Sequence, residues 1–255
     1  MEFSSFMAKR SSGVIVENIK TIVYAILIAI GIRTVAYEPF NIPSGSMIPT
    51  LLVGDFLFVS KYSYGYSRYS TPVPSWLPFA GRLFGSTPAR GDVAVFKLPR
   101  DNETDYIKRI VGLPGDRIQM IGGQLYVNGT IVPRRDLGEY VSNDRGRQTM
   151  AKRYSESLPG GRQHDILKLY EHGGLNDTPI FTVPAGHVFA MGDNRDNSAD
   201  SRDPSSGVGY VPIDNLVGRA EFIFFSIDLP PTSPWWHFWD WPLEIRWSRF
   251  FKGIT

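Results

Sequence analysis

The chain has 255 residues, 42% of them hydrophobic, which is enough for one domain of ordinary size with its own core. Its formal net charge of +2 is too small to indicate nucleic-acid binding, and we expect no nucleic-acid partner. The absence of cysteine excludes disulfides, a thiol nucleophile and a Cys-ligated zinc site. The 25 glycines and 19 prolines favour short strands and many turns over a helical bundle.

An uncharged apolar run near the N-terminus predicts one membrane-spanning helix at residues 21–37. Residues 21–32 contain no charge, and the apolar character continues past Arg33. Seventeen helical residues span about 25 Å, slightly less than a ~30 Å hydrocarbon core, and the long side chain of Arg33 can reach the head groups. A cleavable signal peptide that ends near residues 34–36 and a buried core helix are the alternatives.

Basic residues flank this segment unequally. Lys9, Arg10 and Lys20 precede it, whereas Arg33 lies near its far end. Because lysine and arginine are enriched on the cytoplasmic side of a membrane segment, we expect residues 1–20 in the cytoplasm and everything after the helix outside it.

Residues 38–228 show the pattern of a mainly β, antiparallel domain. Short apolar runs lie between turn residues, and each predicts a strand. The Gly122-Gly123 and Asn128-Gly129 pairs predict two consecutive hairpins, since Asn-Gly suits a type I′ turn. The predicted strands are 93–98, 117–121, 124–127, 130–132, 187–191 and 221–227.

Two regions depart from this pattern. Residues 134–180 are polar and basic, and we expect an irregular, exposed insertion there. The tail, 229–255, contains five of the six tryptophans, and its apolar residues recur at helical spacing. The positions with this spacing are Leu243, Trp247, Phe250, Phe251 and Ile254. An aromatic, basic, amphipathic segment suits the lipid interface, and packing against the β domain is the alternative.

A short loop before the first predicted strands holds two serines in a rigid setting. Ser44 and Ser46 are separated by Gly45 and flanked by Pro43 and Pro49. Proline fixes φ and glycine permits positive φ, so the loop is non-helical and can aim a hydroxyl as a nucleophile requires. A plain turn that enters a strand is the alternative.

A serine nucleophile needs a base, and none of the four histidines lies near a G-x-S-x-G motif. Lys108 is a candidate, because strand alternation places it on one face with Tyr106 and Ile110. An apolar setting lowers the pKa of an amine and increases its neutral fraction. An ordinary surface lysine is the alternative.

The acidic loop 193–203 invites comparison with a calcium site, but its pattern does not fit one. In an EF-hand register, Ser201 stands where glycine is required and Gly207 where glutamate is required. Arg195 and Arg202 lie among the acidic residues, so we expect a loop of internal salt bridges and no metal.

Four blocks in a fixed order carry a resemblance to a known family. They are Pro43-Ser-Gly-Ser-Met-Ile-Pro-Thr50, Arg90-Gly-Asp-Val-Ala-Val-Phe96, Tyr106-Ile-Lys-Arg-Ile-Val-Gly-Leu-Pro-Gly-Asp116 and Gly192-Asp-Asn-Arg-Asp-Asn-Ser-Ala-Asp-Ser-Arg202. Together they resemble the boxes of bacterial type I signal peptidase, the leader peptidase that uses a Ser-Lys dyad. The resemblance runs from Glu38 to about Phe225.

The resemblance implies roles for four residues of the reaction centre. Ser46 would be the nucleophile, and Lys108 the general base and then the acid that protonates the leaving amine. Ser198 would orient the lysine by a hydrogen bond. The backbone N–H of Ser46 and the hydroxyl of Ser44 would form the oxyanion hole.

The resemblance also implies a supporting pair and a set of substrate contacts. Asp200 and Arg202 would pair to hold the loop that bears Ser198. Residues that surround the small side chains of the substrate would form apolar pockets, which exclude larger side chains sterically. These residues are Phe40, Ile42, Pro43, Leu51, Tyr106 and Ile107.

The family resemblance implies a membrane-bound endopeptidase that cuts signal peptides from secretory preproteins after Ala-x-Ala. It implies a protein of the bacterial inner membrane with a periplasmic catalytic domain and no metal or organic cofactor. Some family members have two membrane helices before the serine, whereas the one apolar run at 21–37 predicts a single-pass protein here. A Ser-Lys protease with another target, such as a self-cleaving repressor or a conjugation-linked peptidase, is one alternative. A membrane-tethered β binding module is the other.

Overall fold

The fold is mainly β, as the sequence predicts, and its paired strands run antiparallel. The computed structural model describes residues 2–70, 81–144, 147–228 and 241–255. The α-helices in these residues are α1 (Glu2–Val35) and α2 (Trp241–Glu244). The strands are β1 (Tyr37–Asn41), β2 (Asp55–Ser60), β3 (Val93–Lys97), β4 (Asp105–Gly112), β5 (Arg117–Ile121), β6 (Gln124–Val127), β7 (Thr130–Ile131), β8 (Arg134–Asp144), β9 (Arg147–Ser157), β10 (Gln163–Lys168), β11 (Phe181–Thr182), β12 (His187–Met191), β13 (Val211–Pro212), β14 (Leu216–Ser226) and β15 (Lys252–Gly253).

The largest sheet brings the sequence blocks together. Its strand order is β1-β2-β14-β3-β4-β12-β13, and β15 pairs with β14. β4 therefore lies between β3 and β12, with Lys108 opposite Ala94 on β3. Smaller sheets have the orders β10-β9-β8 and β11-β5-β6-β7.

Hydrophobic clusters cover both faces of this sheet. Alternation along β3 directs Val93 and Val95 to one cluster and Phe96 to the other. The first cluster includes Met47 and Leu51 from the loop after β1, and both side chains are fully buried. Burial of such a side chain contributes roughly 1.5–3 kcal/mol, so these two residues anchor the serine loop to the sheet.

The predicted hairpins are confirmed. β5 pairs with β6 across Gly122-Gly123, and β6 pairs with β7 across Asn128-Gly129. Asn128 and Gly129 have φ values of 53° and 78°, which is the positive pair that a type I′ turn requires.

The expectation of an irregular insertion at 134–180 is wrong. β8, β9 and β10 form a regular three-stranded sheet within it. One face of this sheet places Tyr140, Ala151 and Leu167 against Ile48 and Leu52 of the serine loop. Many of the polar side chains in this region are exposed, while a few apolar side chains pack on the serine loop.

Within the described part of the tail, residues 241–255, the predicted helical spacing is also wrong beyond Glu244. α2 ends at Glu244, and a 3-10 turn, Trp247–Arg249, and β15 follow it. Phe251 N donates to Ile223 O and Ile254 N to Glu221 O, so pairing with β14 replaces a helix. This end of the tail packs on the β domain, while residues 229–240, with three of its tryptophans, lie outside the described residues.

α1 extends beyond the predicted segment at its N-terminal end and stops just before β1. Its side chains at 16–33 are exposed. Among the described residues, no helix is both long enough and apolar enough to cross a membrane. The membrane-spanning segment predicted at 21–37 stays a prediction.

Candidate active site

Ser46 lies in a single 3-10 turn, Gly45–Met47, directly after β1. Proline on either side keeps the segment out of regular structure, and the buried Met47 fixes the turn on the sheet. Asn194 holds the turn from the opposite side, because its backbone N–H donates to Ser46 O (3.1 Å) and its side chain to Gly45 O (3.0 Å).

The Lys108 amine lies against the Ser46 hydroxyl. Lys108 Nζ is 2.7 Å from Ser46 Oγ and donates to Ile107 O at 2.9 Å. The lysine side chain is only 4% exposed, and its amine lies 5.4 Å from the centre of the Tyr106 ring. Burial lowers the pKa of Lys108 to about 8, although the carboxylates of Asp200 and Asp193 act to raise it. The structure therefore places a buried amine in contact with a serine hydroxyl, and the roles of the two groups as base and nucleophile stay predictions.

Ser44 lies at the mouth of the same turn. Its hydroxyl oxygen is 3.5 Å from Ser46 Oγ. The Ser44 side chain is exposed, while Ser46 is buried. The oxyanion-hole role of the Ser44 hydroxyl stays a prediction.

The loop that bears Ser198 is held by buried ion pairs. Arg202 donates to both carboxylate oxygens of Asp200 at 2.9 and 2.8 Å. This pair lies within the acidic loop, as the sequence predicts. The prediction of internal pairing is wrong for Arg195, whose partner is Glu156 on β9, and for Asp193, whose partner is Arg109 on β4.

The Arg109–Asp193 pair joins β4 to the acidic loop. Arg109 Nε and Nη2 each donate to one Asp193 oxygen at 2.8 Å, and Thr50 Oγ1 donates to Asp193 Oδ2 at 2.5 Å. Burial alone raises the pKa of Asp193, but the Arg109 charge and these hydrogen bonds hold it below its ordinary value. The aspartate stays ionised and links both catalytic segments.

The absence of a side chain at Gly192 allows the acidic loop to lie close to Ser46. A Cβ atom at position 192 would lie 2.3 Å from Ser198 Oγ and 2.6 Å from Ser46 O, so a larger residue would force the segments apart. The Ser198 hydroxyl is buried and has no hydrogen-bond partner among the described residues, the Lys108 amine included. Its lysine-orienting role stays a prediction.

A cleft of about 360 Å³ opens beside the serine and the lysine. Three of the predicted substrate contacts line it: Pro43, Tyr106 and Ile107. The other three belong to the hydrophobic cluster beneath, where Ile42 and Leu51 are buried and Phe40 packs against them. The cleft lining also includes Ser44, Gly45, Ser46, Asp105, Lys108, Asn197 and Ala199.

Sequence reasoning missed a buried charged cluster behind the site. His164 Nε2 lies 3.5 Å from Glu156 and 3.8 Å from Asp193, and neither ring nitrogen has a hydrogen-bond partner among the described residues. Burial and the neighbouring Arg109 charge lower the pKa of His164 to about 4. Arg109 and Asp193 each lie in one of the four sequence blocks, but a single sequence gives no signal that the two residues pair.

A buried lysine against a serine hydroxyl, beside an open cleft, has the geometry of a serine hydrolase. The family model described as "Signal peptidase, peptidase S26" matches residues 15–225. The chain therefore belongs to the signal peptidase S26 family, and it is a serine endopeptidase.

Curated relatives cover nearly the whole chain. The signal peptidase I of Rickettsia typhi is 38% identical, and the match covers 93% of this chain and 93% of that protein. The signal peptidase I of Rickettsia massiliae is 42% identical over 250 residues, 91% of this chain and 90% of that protein. A solved signal peptidase I from Enterococcus faecalis is 27% identical, covers 52% of this chain and 97% of its own, and has a TM-score of 0.30.

Proposed function

We propose that this protein cleaves N-terminal signal peptides from exported preproteins after small residues in an Ala-x-Ala pattern. Ser46 is the nucleophile and neutral Lys108 the general base. The observation that carries the proposal is the 2.7 Å contact between Lys108 Nζ, which is buried, and Ser46 Oγ. Membership of the signal peptidase family supports signal peptides as the substrate class.

Burial makes the lysine usable as a base. An amine with a pKa of about 8 is neutral in about one molecule in ten at pH 7, whereas a free lysine is neutral in about one in 2,500. The neutral amine accepts the Ser46 proton as Oγ attacks the scissile carbonyl. The ammonium then protonates the leaving amine, and the same lysine activates the water that releases the acyl group.

Hydrogen-bond donors stabilise the oxyanion in this scheme. The Ser46 N–H and the Ser44 hydroxyl, 3.5 Å from Ser46 Oγ, are directed at the carbonyl oxygen. Ser198 orients the lysine amine after a rotation of its hydroxyl. The Asp200–Arg202 pair holds the Ser198 loop in place.

Substrate selection follows from the cleft. Pro43, Tyr106 and Ile107 give the cleft an apolar lining, while Phe40, Ile42 and Leu51 belong to the hydrophobic cluster that includes Met47. In this proposal the apolar lining admits alanine and rejects large side chains by steric exclusion. No metal or organic cofactor takes part in this mechanism.

α1 anchors the enzyme in the inner membrane in this proposal. The uncharged run at 21–32 and the exposed apolar side chains along the helix support it. The basic residues before the run place the N-terminus in the cytoplasm and the β domain in the periplasm. Signal peptides span the same bilayer, so the cleavage site would emerge beside the cleft.

A cleavage assay tests the proposal. The full chain in detergent is mixed with a preprotein that carries an Ala-x-Ala site, and the products are mapped by mass spectrometry. We expect cut product from the wild type and a loss of at least about a thousand-fold in kcat for Ser46→Ala and Lys108→Met. The exposed Ser206→Ala and Lys152→Met serve as matched controls and keep full activity.

Each other outcome has a defined meaning. Normal turnover by a folded Lys108→Met variant would contradict the dyad. Ser46-dependent cleavage at unrelated sequences would identify a Ser-Lys protease with another target. The absence of cleavage of any substrate by the folded wild type would favour a binding module.

A further inference from the structure

Side chains from two distant segments hold the loop that carries Ser46, residues 44–54. This loop contains one 3-10 turn and otherwise no helix or strand. Its first half is fixed by Asn194, which bonds Gly45 O and Ser46 O. Its second half is held by residues of the C-terminal segment.

Arg249 makes the central contact of this second half. Its Nε donates to Asp55 Oδ1 at 2.8 Å and its Nη2 to Asp55 Oδ2 at 2.5 Å, while Nη2 also donates to Thr50 O at 3.0 Å. Asp55 is fully buried and accepts from Leu52 N at 2.8 Å. The Arg249 guanidinium therefore fixes both the backbone of the loop at Thr50 and the carboxylate of Asp55, the residue directly after the loop.

Neighbouring residues of the same segment extend the contact. Arg246 Nη1 donates to Val53 O at 2.8 Å, and Arg246 also pairs with Asp228 at 2.8 Å. β15 adds to the edge of β14, and Ile254 packs on the cluster that holds Met47. We define residues 246–255 as the tail strap.

Thr50 contacts both the tail strap and the Arg109–Asp193 ion pair. Its carbonyl accepts from Arg249, and its hydroxyl donates to Asp193, the partner of Arg109. Arg109 in turn donates to Thr255 O at 3.1 Å. The strap therefore contacts the nucleophile loop directly and the strand of Lys108 through Arg109.

We propose that Arg249 is a positioning residue for Ser46 and that the tail strap sets the Ser46–Lys108 geometry. The inference rests on the proposed function, because it assigns the strap to that reaction. A displacement of about 1 Å can cost on the order of a hundred-fold in rate, so a loop with so little regular structure requires such fixation. The tail strap lies C-terminal to the four sequence blocks, so these blocks give no indication of this role.

Arg249→Lys is the informative variant. Lysine keeps the charge beside Asp55, which protects folding, but a single ammonium cannot reproduce the guanidinium fork that reaches Asp55 and Thr50 O together. We expect kcat to fall about ten-fold or more with KM changed less than two-fold. The rate of covalent labelling of Ser46 by a fluorophosphonate should fall by a similar factor, while the dependence of kcat on pH keeps its midpoint.

Arg219→Lys provides a matched control. Arg219 pairs with Glu221 on β14 and makes no hydrogen bond to the serine loop. We expect its kcat and its labelling rate to equal those of the wild type. All variants are assayed as full chains in detergent, at least 15 °C below their measured unfolding temperatures, and rates are normalised to active sites.

The outcomes separate this inference from the proposed function. If the wild type cleaves the preprotein and Arg249→Lys keeps the wild-type kcat and labelling rate, the positioning role is wrong. An increase in KM alone would assign the strap to substrate binding and would also overturn the inference. A wild type that labels at Ser46 but cleaves no preprotein refutes the proposed function, and the labelling rates of the variants still decide the role of Arg249.

Discussion

The environment of one amine determines the chemistry of the site. The shift in the pKa of Lys108 from 10.5 to about 8 corresponds to roughly 3 kcal/mol in favour of the neutral form. Burial outweighs the opposing effect of Asp193 and Asp200, because both carboxylates are committed to arginine partners. The ion pairs that hold the acidic loop therefore leave the pKa of Lys108 low.

The pH dependence of cleavage follows from this pKa. The reactive form is the neutral amine, so kcat/KM rises with pH, levels off above about pH 8, and falls about ten-fold per unit well below it. The measurement is a profile from pH 5.5 to 9.5 on a short peptide. A flat profile across pH 6–9 with chemistry rate-limiting would contradict the assignment of Lys108 as the base.

At the scale of elements, the β8–β10 sheet supports the catalytic loops. Tyr140 and Ala151 cover Ile48 of the serine loop, while Glu156 on β9 pairs with Arg195 of the acidic loop. His164 on β10 lies between this pair and Asp193. The β8–β10 sheet therefore contacts both the serine loop and the acidic loop.

His164 makes the stability of the folded protein sensitive to acid. Its pKa is about 4 in the folded protein and about 6.5 unfolded, so the unfolded chain binds more protons between these values and stability falls as pH falls through that range. From pH 7 to pH 5, this residue contributes a loss of about 2 kcal/mol in the free energy of unfolding. Urea unfolding of wild type and His164→Leu in detergent measures the difference between their pH dependences.

The exposed His172 supplies the control for this measurement. His172→Leu should lose as much stability between pH 7 and pH 5 as the wild type does. An equal loss in His164→Leu would mean that protonation of His164 does not contribute to acid sensitivity.

Local patterns predict the two hairpins and the face of β4 on which Lys108 lies. The Gly122-Gly123 and Asn128-Gly129 pairs fix turns through φ, and strand alternation places Lys108 beside Tyr106. The predictions for the insertion and the tail were wrong because contacts with distant segments determine the structure of both. β8 and β9 bury one face on a distant loop, and the strap pairs with β14, so helical spacing in its apolar residues did not produce a helix.

Pairing within the acidic loop was predicted for Asp200 and Arg202, whereas pairs that join distant segments behind the serine and the lysine were missed. Ser46 and Lys108 each stand in a recognisable setting, and the structure brings them to 2.7 Å. Arg109–Asp193, Arg195–Glu156 and the Arg249 contact join segments that nothing in a single sequence links.

At the scale of the whole molecule, a helix with exposed apolar side chains precedes the catalytic domain. α1 comprises 34 residues, about 51 Å of helix, and Ile22, Leu27 and Ile30 on it are all more than half exposed. A half-buried aromatic group on the large sheet, including Phe58 and Phe224, adds further apolar surface. Such surface suits contact with lipid.

Removal of α1 tests its role as an anchor. We expect a chain that begins at Ala36 to stop sedimenting with phospholipid vesicles, with the bound fraction reduced about ten-fold or more, because the exposed apolar side chains are lost. Cleavage of a short soluble peptide should change less than three-fold. Co-sedimentation of the shortened chain equal to that of the full chain would assign membrane binding to the β domain.

The contacts that fix Ser46 span increasing lengths of chain. Lys108 reaches Ser46 across 62 residues, Asp193 reaches Thr50 across 143, and Arg249 reaches Thr50 across 199. A ribosome adds about 5–20 residues per second, so roughly ten seconds or more separate the synthesis of Thr50 from that of Arg249. A nascent chain that already contains both serine and lysine still lacks the contacts that align them. Under the positioning role proposed for Arg249, we expect a nascent chain to stay inactive until Arg249 has been synthesised and has reached Asp55 and Thr50.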